Sequence, residues 1–384
     1  MKIPPVLGWL AVWILGACAA VRGAELRIST PLDYQVVQRS GRDSGEVWVE
    51  GEFADVATRA SKVEYRAEIS GRFGGWMPVE GLREGREFRF RATFPAGGWY
   101  RLQLRAWAGD QIAAESEVAH FGVGEVFLVA GQSNAANYGT EKLQALTGLV
   151  SAFDGDRWSL SEDPQPGATG QGGSFLAPFG DAISKRFGVP VGLVPCGVGG
   201  SSVRQWLPKG SRSLFPPGKM KSTLPDGSYQ SPGFLFSRMV SRMRSLGPRG
   251  VRAVLWHQGE TDSSQQEQNQ VLPGRVYREH LETVIRKSNE ALGSETPWFV
   301  AQVSFLVNGY EACPDLRAAQ ASLWKDGVAL EGPDTDQLKG AYREKGGESV
   351  HFTGAGLREH AARWVQKVEP WLEKQLQLDS ARRR

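Results

Sequence analysis

The apolar rhythm of this chain changes once, near residue 123, and that change limits the fold more than any other feature. Before it, hydrophobic and polar residues alternate. In "FRFRATF" (88–94), Phe88, Phe90, Ala92 and Phe94 alternate with Arg89, Arg91 and Thr93. "KVEYRAEI" (62–69) and "YRLQLRAW" (100–107) do the same and "VWVEGEF" (47–53) more loosely, with turns such as "FPAGG" and "GRFGG" between them. Strict alternation buries one face of a strand and wets the other, the pattern of antiparallel sheets. A run of short strands with Gly and Pro turns predicts a small, Ig-like β-sandwich over residues 25–122.

After Val123 the apolar runs become continuous: "EVFLVAG" (125–131), "VPVGLVPCG" (189–197), "VRAVLWHQG" (251–259) and "PWFVAQVSF" (297–305). Such runs suit strands buried on both faces, and helical patterns separate them. In "GRVYREHLETVIRKSNEALG" (274–293), Val276, His280, Leu281, Val284, Ile285 and Leu292 fall close to one stripe. Strands alternating with helices predict an α/β domain, a three-layer parallel sheet, over residues 123–378. The closing segment 357–376 reads as a helix that Pro370 kinks or divides, and residues 379–384 as a frayed tail.

The first 24 residues read as an export signal. Lys2 precedes an apolar run from Val6 to Leu15 and the small-residue stretch "GACAAVRGA". Cleavage after Ala20 or Gly23 fits that stretch. "LGAC" (15–18) also resembles a lipobox, which would make Cys18 a lipid anchor. Both readings place the protein outside the cytoplasm, secreted or periplasmic. No later apolar stretch reaches the roughly 18 residues of a membrane span. Beyond the signal, Cys196 and Cys313 read as buried thiols, with a disulfide as the alternative. The net charge of +3 is spread along the chain, so nothing marks a nucleic-acid partner.

An open parallel sheet delivers its strand ends to one edge, where ligands bind. Four polar clusters lie at such ends or in the last loop: "GQSN" (131–134), "CGVGGSS" (196–202), "WHQGETD" (256–262) and "ESVHF" (348–352). Ester hydrolysis needs a nucleophile, a base, an orienting acid and donors for an oxyanion. Ser133 in a strand-to-helix turn reads equally as a nucleophile or an N-cap. Glu348, three residues before His351, can approach its Nδ1 in a tight turn. His120, His280 and His360 lack such a setting and default to structural roles. The spacing of "GVGGSS" excludes a dinucleotide fingerprint, but its glycines allow close backbone approach. A metal site from His257, Glu260 and Asp262 lacks supporting ligands. The Pro-, Gly- and Ser-rich stretch 201–236 follows a strand end and is the candidate substrate-binding wall.

With these clusters in order, the chain resembles the SGNH-type hydrolases of the sialate O-acetylesterase and acetylxylan esterase branch. The likeness spans about residues 123–365 and includes "GEVFLVAGQSN", "VGGSSVRQW", "VLWHQGE", "LRAAQ" (316–320) and "VHFTGAG" (350–356). It implies a flavodoxin-like serine esterase that removes acetyl groups from carbohydrate and needs no cofactor. It further implies Ser133 as nucleophile and His351 as general base. The Ser133 N–H, the Gly199 N–H and the Gln258 side chain become oxyanion donors, with Gln132 and Asn134 beside the serine as substrate-binding candidates. Many such enzymes carry Asp where this chain has Glu348. In others the Glu of "HQGE", here Glu260, is the partner, and spacing favours Glu348. Two other classes stay open: a catalytically degenerate carbohydrate-binding protein, and a glycosidase using Glu260 and Asp262.

Overall fold

A computed structural model describes residues 26–53, 60–80, 87–216, 224–263, 271–307 and 312–382. The export signal, Cys18 and the last two residues lie outside these.

Among the described residues, the dominant element is a 12-stranded mixed sheet. Its main path runs Trp158–Leu160, Val150–Phe153, Val191–Pro195, Gln111–Gly131, Ala253–His257, Trp298–Gln302 and Leu330–Asp334. All neighbours on this path pair in parallel except Trp158–Leu160, which is antiparallel to Val150–Phe153. Successive strand residues enter different apolar clusters. Val126, Leu128 and Ala130 join Val254, Trp256, Trp298 and Val300 under helices Phe234–Ser245, Gly274–Leu292 and Pro314–Lys325. Phe127 and Val129 join Leu193, Leu255, Phe299 and Ala301 under helices Leu176–Phe187 and Gly354–Arg382. Both sets of strand side chains are withdrawn from water, which is why these segments are apolar without alternation.

The alternating half behaves as its sequence demands. Strand Glu87–Pro95 shows strict exposed–buried alternation, with Phe88, Phe90, Ala92 and Phe94 inside. It pairs with Ser44–Phe53, which pairs with Leu26–Thr30, in a three-stranded sheet. Their inner residues share a cluster with Leu102, Leu104, Val118 and Phe121 of strands Gly97–Ala108 and Gln111–Gly131.

The expected division between residues 122 and 123 falls inside one strand. Gln111–Gly131 is continuous over 21 residues. Its first half pairs antiparallel with Gly97–Ala108, and its second half pairs in parallel with Val191–Pro195 and Ala253–His257. Glu125, fully buried on this strand, accepts from Arg39 Nε at 2.6 Å and Arg252 Nε at 2.7 Å. A buried carboxylate is tolerable because two guanidinium groups compensate it.

Pro370 does not divide the last helix, which is continuous from Gly354 to Arg382 and so takes up residues expected to fray. Trp364, Val368, Leu372 and Leu376 are buried on either side of the proline, and that apolar stripe outweighs one missing backbone hydrogen bond. The start of the supposed substrate wall is core. Val203, Trp206 and Leu207 are buried around a short helical turn capped by Ser202.

Candidate functional site

Strand Gln111–Gly131 ends beside His257, and the approach is close. A side chain at Gly131 would put its Cβ 2.0 Å from the His257 carbonyl oxygen, and the residue's φ of +132° also favours glycine. The chain then turns through Ser133–Ala135, a single 3₁₀ turn rather than an α-helix. Ser133 is 5% exposed. Its hydroxyl makes no cap, and the Ser133 and Asn134 N–H groups engage no backbone acceptor among the described residues.

Gln132 fastens this turn to the next strand end. Its Oε1 accepts from Thr261 N at 3.0 Å and from Gln258 Nε2 at 3.3 Å. The Gln258 amide also donates to Asp262 Oδ2 at 2.8 Å and Ser201 O at 3.1 Å. Asp262 in turn accepts from Ser202 Oγ, Val203 N and Arg204 Nη2. Gln258 is therefore a clasp between segments, with its amide hydrogens directed at protein acceptors. Gly199 is similarly engaged, its N–H donating to Thr169 Oγ1 at 2.7 Å. Neither the Gln258 amide nor the Gly199 N–H is free in this structure, because each already satisfies a protein acceptor, whereas the Ser133 N–H has no backbone acceptor among the described residues.

His351 sits on a pinched loop. Glu344 N donates to its carbonyl at 3.0 Å, and Glu344 Oε2 lies 3.9 Å from its Nδ1. Ser349 Oγ donates to Glu344 Oε2 at 3.1 Å and accepts from His351 N at 3.3 Å, so one hydroxyl ties carboxylate to histidine. Glu348 is exposed and makes no ion pair with His351 among the described residues. The three-residue spacing needs a continued helical turn. Here Lys345, Gly346 and Gly347 take φ of 51°, 70° and 102°, which reverses the chain and carries position 344 back to the imidazole. Burial lowers the His351 pKa and the Glu344 charge opposes that shift. The Tyr138 ring lies against the imidazole, centroids 5.3 Å apart.

Glu260 is fully buried elsewhere in the site. Its Oε1 accepts from Asn134 Nδ2 at 2.9 Å and lies 3.7 Å from His257 Nδ1, and burial pushes its pKa up to about 7. It makes no ion pair with His351 among the described residues. Asn134 also donates to Val350 O at 3.1 Å. The residue after Ser133 thus touches the residue before His351, across 216 positions of sequence. Arg343 buttresses the same loop from below, donating to Leu338 O at 2.7 Å, Thr335 O at 2.9 Å and Val350 O, with its guanidinium over Phe305 and Phe352. His257 Nε2 meets Thr335 Oγ1, Glu260 meets Asn134 and His257 Nδ1, and Asp262 meets residues 202–204. No group of three metal-ligating side chains is present among the described residues.

A family profile described as "Carbohydrate esterase, sialic acid-specific acetylesterase" matches residues 123–369. The chain belongs to this family. It is accordingly a carboxylic ester hydrolase acting on acetylated carbohydrate. The match begins inside strand Gln111–Gly131 and ends within the last helix, so it takes in all four polar clusters. No curated protein matches the chain significantly. Among solved structures, a carbohydrate acetylesterase from Xanthomonas citri shares the fold at 19% identity and TM-score 0.51, over 87% of this chain and 72% of that one. NanS aligns at 20% identity and TM-score 0.41, over 65% of this chain and 98% of its own. A family two carbohydrate esterase from Clostridium thermocellum aligns at 12% identity and TM-score 0.34, over 88% and 94%.

Other features of this esterase qualify the sequence reading. Cys196 and Cys313 are both buried and free. His280 and His360 are buried within helices, bonded to Ser213 and Trp364. No helix among the described residues is long and apolar enough to cross a membrane. Tyr138, Thr169, Arg343 and Glu344 escaped the sequence reading. Glu344 carried a signal, since the glycine pair at 346–347 announces a chain reversal that can return an earlier carboxylate to the histidine.

Proposed function

We propose that this chain is an exported serine esterase that removes O-acetyl groups from carbohydrate through an acetyl-serine intermediate. The Ser133 hydroxyl attacks the acetyl carbonyl while His351 takes its proton. The oxyanion forms against the N–H groups of the Ser133 turn, joined by the Gly199 N–H when the Thr169 hydroxyl releases it. His351 then protonates the sugar oxygen as it leaves. Water, deprotonated by His351, attacks the acetyl-enzyme, and acetate departs as the proton returns to Ser133. Glu344 holds the imidazole and stabilises its cation. The helix-covered sheet is read as the flavodoxin-like layering of SGNH hydrolases, preceded by a β-sandwich, and residues 1–24 as the export signal.

The observation that carries this reading is the Asn134 bridge to Val350, which seats the serine turn against the histidine loop. The test is acetate release from a small acetate ester and from acetylated polysaccharides and sialosides, for wild type and Ser133→Ala. Turnover that vanishes in the variant supports the reading. Wild type without Ser133-dependent turnover, yet binding glycan, would establish a degenerate binding protein instead.

A further inference from the structure

One face of the N-terminal β unit carries a ladder of alternating rings and cations. The Arg66 guanidinium lies 4.2 Å from the Phe73 ring centroid and 4.5 Å from that of Trp76. Arg105 lies 4.0 Å from Trp76 and 4.8 Å from Trp107. These side chains stand on strands Lys62–Ile69 and Gly97–Ala108 and on the segment beyond, outside the cluster that fills the interior of this unit. Beside Trp76 runs a groove of about 440 Å³, floored by a row of polar side chains. Arg66 Nε donates to Gln103 Oε1 at 2.8 Å, and Gln103 Nε2 donates to Glu117 Oε2 at 3.0 Å.

We propose that this groove is an accessory binding site for neutral polysaccharide, separate from the esterase centre and holding the polymer on which that centre acts. Trp76 carries Arg66 and Arg105 over its ring, is half-buried and borders the groove. There the apolar indole surface left uncovered packs against the C–H face of a pyranose ring, while planar amide and carboxylate groups bond sugar hydroxyls. The charge pattern selects the class of glycan. Arg105 bonds Glu64 Oε2 at 2.7 Å, and Arg66, which donates to the neutral Gln103, is one guanidinium in the groove against the two carboxylates Glu115 and Glu117. Glu115 lines the groove, is exposed, and has no ion-pair partner among the described residues. Glu117 receives only an amide. The groove therefore offers spare carboxylate lone pairs to hydroxyl donors, and a sugar carboxylate placed there would meet like charge. Sialylated glycan is excluded from this site on that ground.

The inference rests on the carbohydrate esterase reading for its choice of ligand, and binding can be measured apart from turnover. The experiment uses the full chain carrying Ser133→Ala, with and without Trp76→Ala. Deacetylated xylan, glucomannan and polysialic acid serve as probes in affinity electrophoresis and calorimetry. In an otherwise wild-type background, Trp76→Ala is assayed on a small acetate ester and on acetylated polymer. Binding of a neutral polymer, weakened at least tenfold by Trp76→Ala, is expected, with KM on polymer raised and small-ester turnover unchanged. Glu115→Gln should leave folding intact and lessen the rejection of polysialic acid. Neutral-polymer binding unaffected by Trp76→Ala, or polysialic acid bound as tightly as xylan, would overturn the site. Loss of small-ester turnover together with a lower melting temperature would make the ladder a structural staple and overturn it too. Trp76-dependent binding without any esterase activity would leave the site standing and remove the catalytic reading.

Discussion

Glu344 Oε2 lies 3.9 Å from Nδ1 of His351, while Glu348, nearer in sequence, faces solvent. A partner at that distance, tied in through Ser349, orients the ring less rigidly than a direct hydrogen bond would. Glu344→Gln should lower kcat by about tenfold, well short of the roughly 10⁴-fold loss known for a tightly bonded triad acid. Glu348→Gln should stay near wild type. Steady-state kinetics on a small acetate ester decide between them, and the reverse ranking would restore Glu348 as the partner.

The pH profile follows from the same pair. His351 must be neutral to accept a proton, and burial lowers its pKa. The acid limb of kcat/KM should therefore lie below the usual imidazole value of about 6.5. The Glu344 charge favours the imidazolium and raises the pKa within that environment, so Glu344→Gln should move the limb further down. An upward movement would show that Glu344 does not face the base.

Glu260 offers a contrasting test. Burial raises its pKa to about 7, which favours the neutral carboxyl, and Gln copies that neutral shape. Glu260→Gln should keep kcat within about threefold of wild type, since a changed charge here acts on Asn134 and His257 rather than on His351. A loss of 10³-fold or more would make Glu260 the orienting acid.

Acid should unfold the protein early. Burial holds His257 at about 3 and His280 at about 4, and lowers His360 as well. These histidines are neutral when folded and gain protons on unfolding once the pH drops below about 6.5. Their stabilising contribution is complete above that value and declines as pH falls, by up to about 1.4 kcal/mol per pH unit for each. Glu260 acts oppositely: its raised pKa favours the fold at low pH, and that contribution is lost as pH rises from about 4.5 to about 7. Urea midpoints at pH 7 and pH 5 measure the balance, and His280→Gln should narrow the difference. An unchanged difference would mean that His280 is already protonated in the folded protein.

Much of the fold was legible because periodicity is a local property. Phe88, Phe90, Ala92 and Phe94 are buried as their alternation requires, and Val276, Leu281, Val284 and Ile285 line the buried face of their helix. Short strands were less visible. Val150–Phe153 and Leu330–Asp334 are four and five residues long, too brief for a periodic signal to rise above chance. The change of rhythm after residue 122, where the family match also begins, falls inside a continuous strand. A strand's change of partner leaves no break in its own backbone, so the sequence shows the change of rhythm and not the continuity of the strand.

By itself the sequence determined which residues are available for ester chemistry and roughly where they sit. Gly131 and Ser133 belong to a strand end because an apolar run stops there, and His351 belongs to a late loop. Which carboxylate lies beside the histidine was decided by tertiary structure alone. Three consecutive left-handed residues at 345–347 reverse the loop, turning Glu348 outward and returning Glu344, a rotation that counting residues along the chain does not register. The engagement of Gln258 and Gly199 was decided the same way. A donor's freedom depends on which acceptors the packed chain brings within about 3 Å of it, and two of those acceptors, Ser201 for Gln258 and Thr169 for Gly199, come from other segments of the fold.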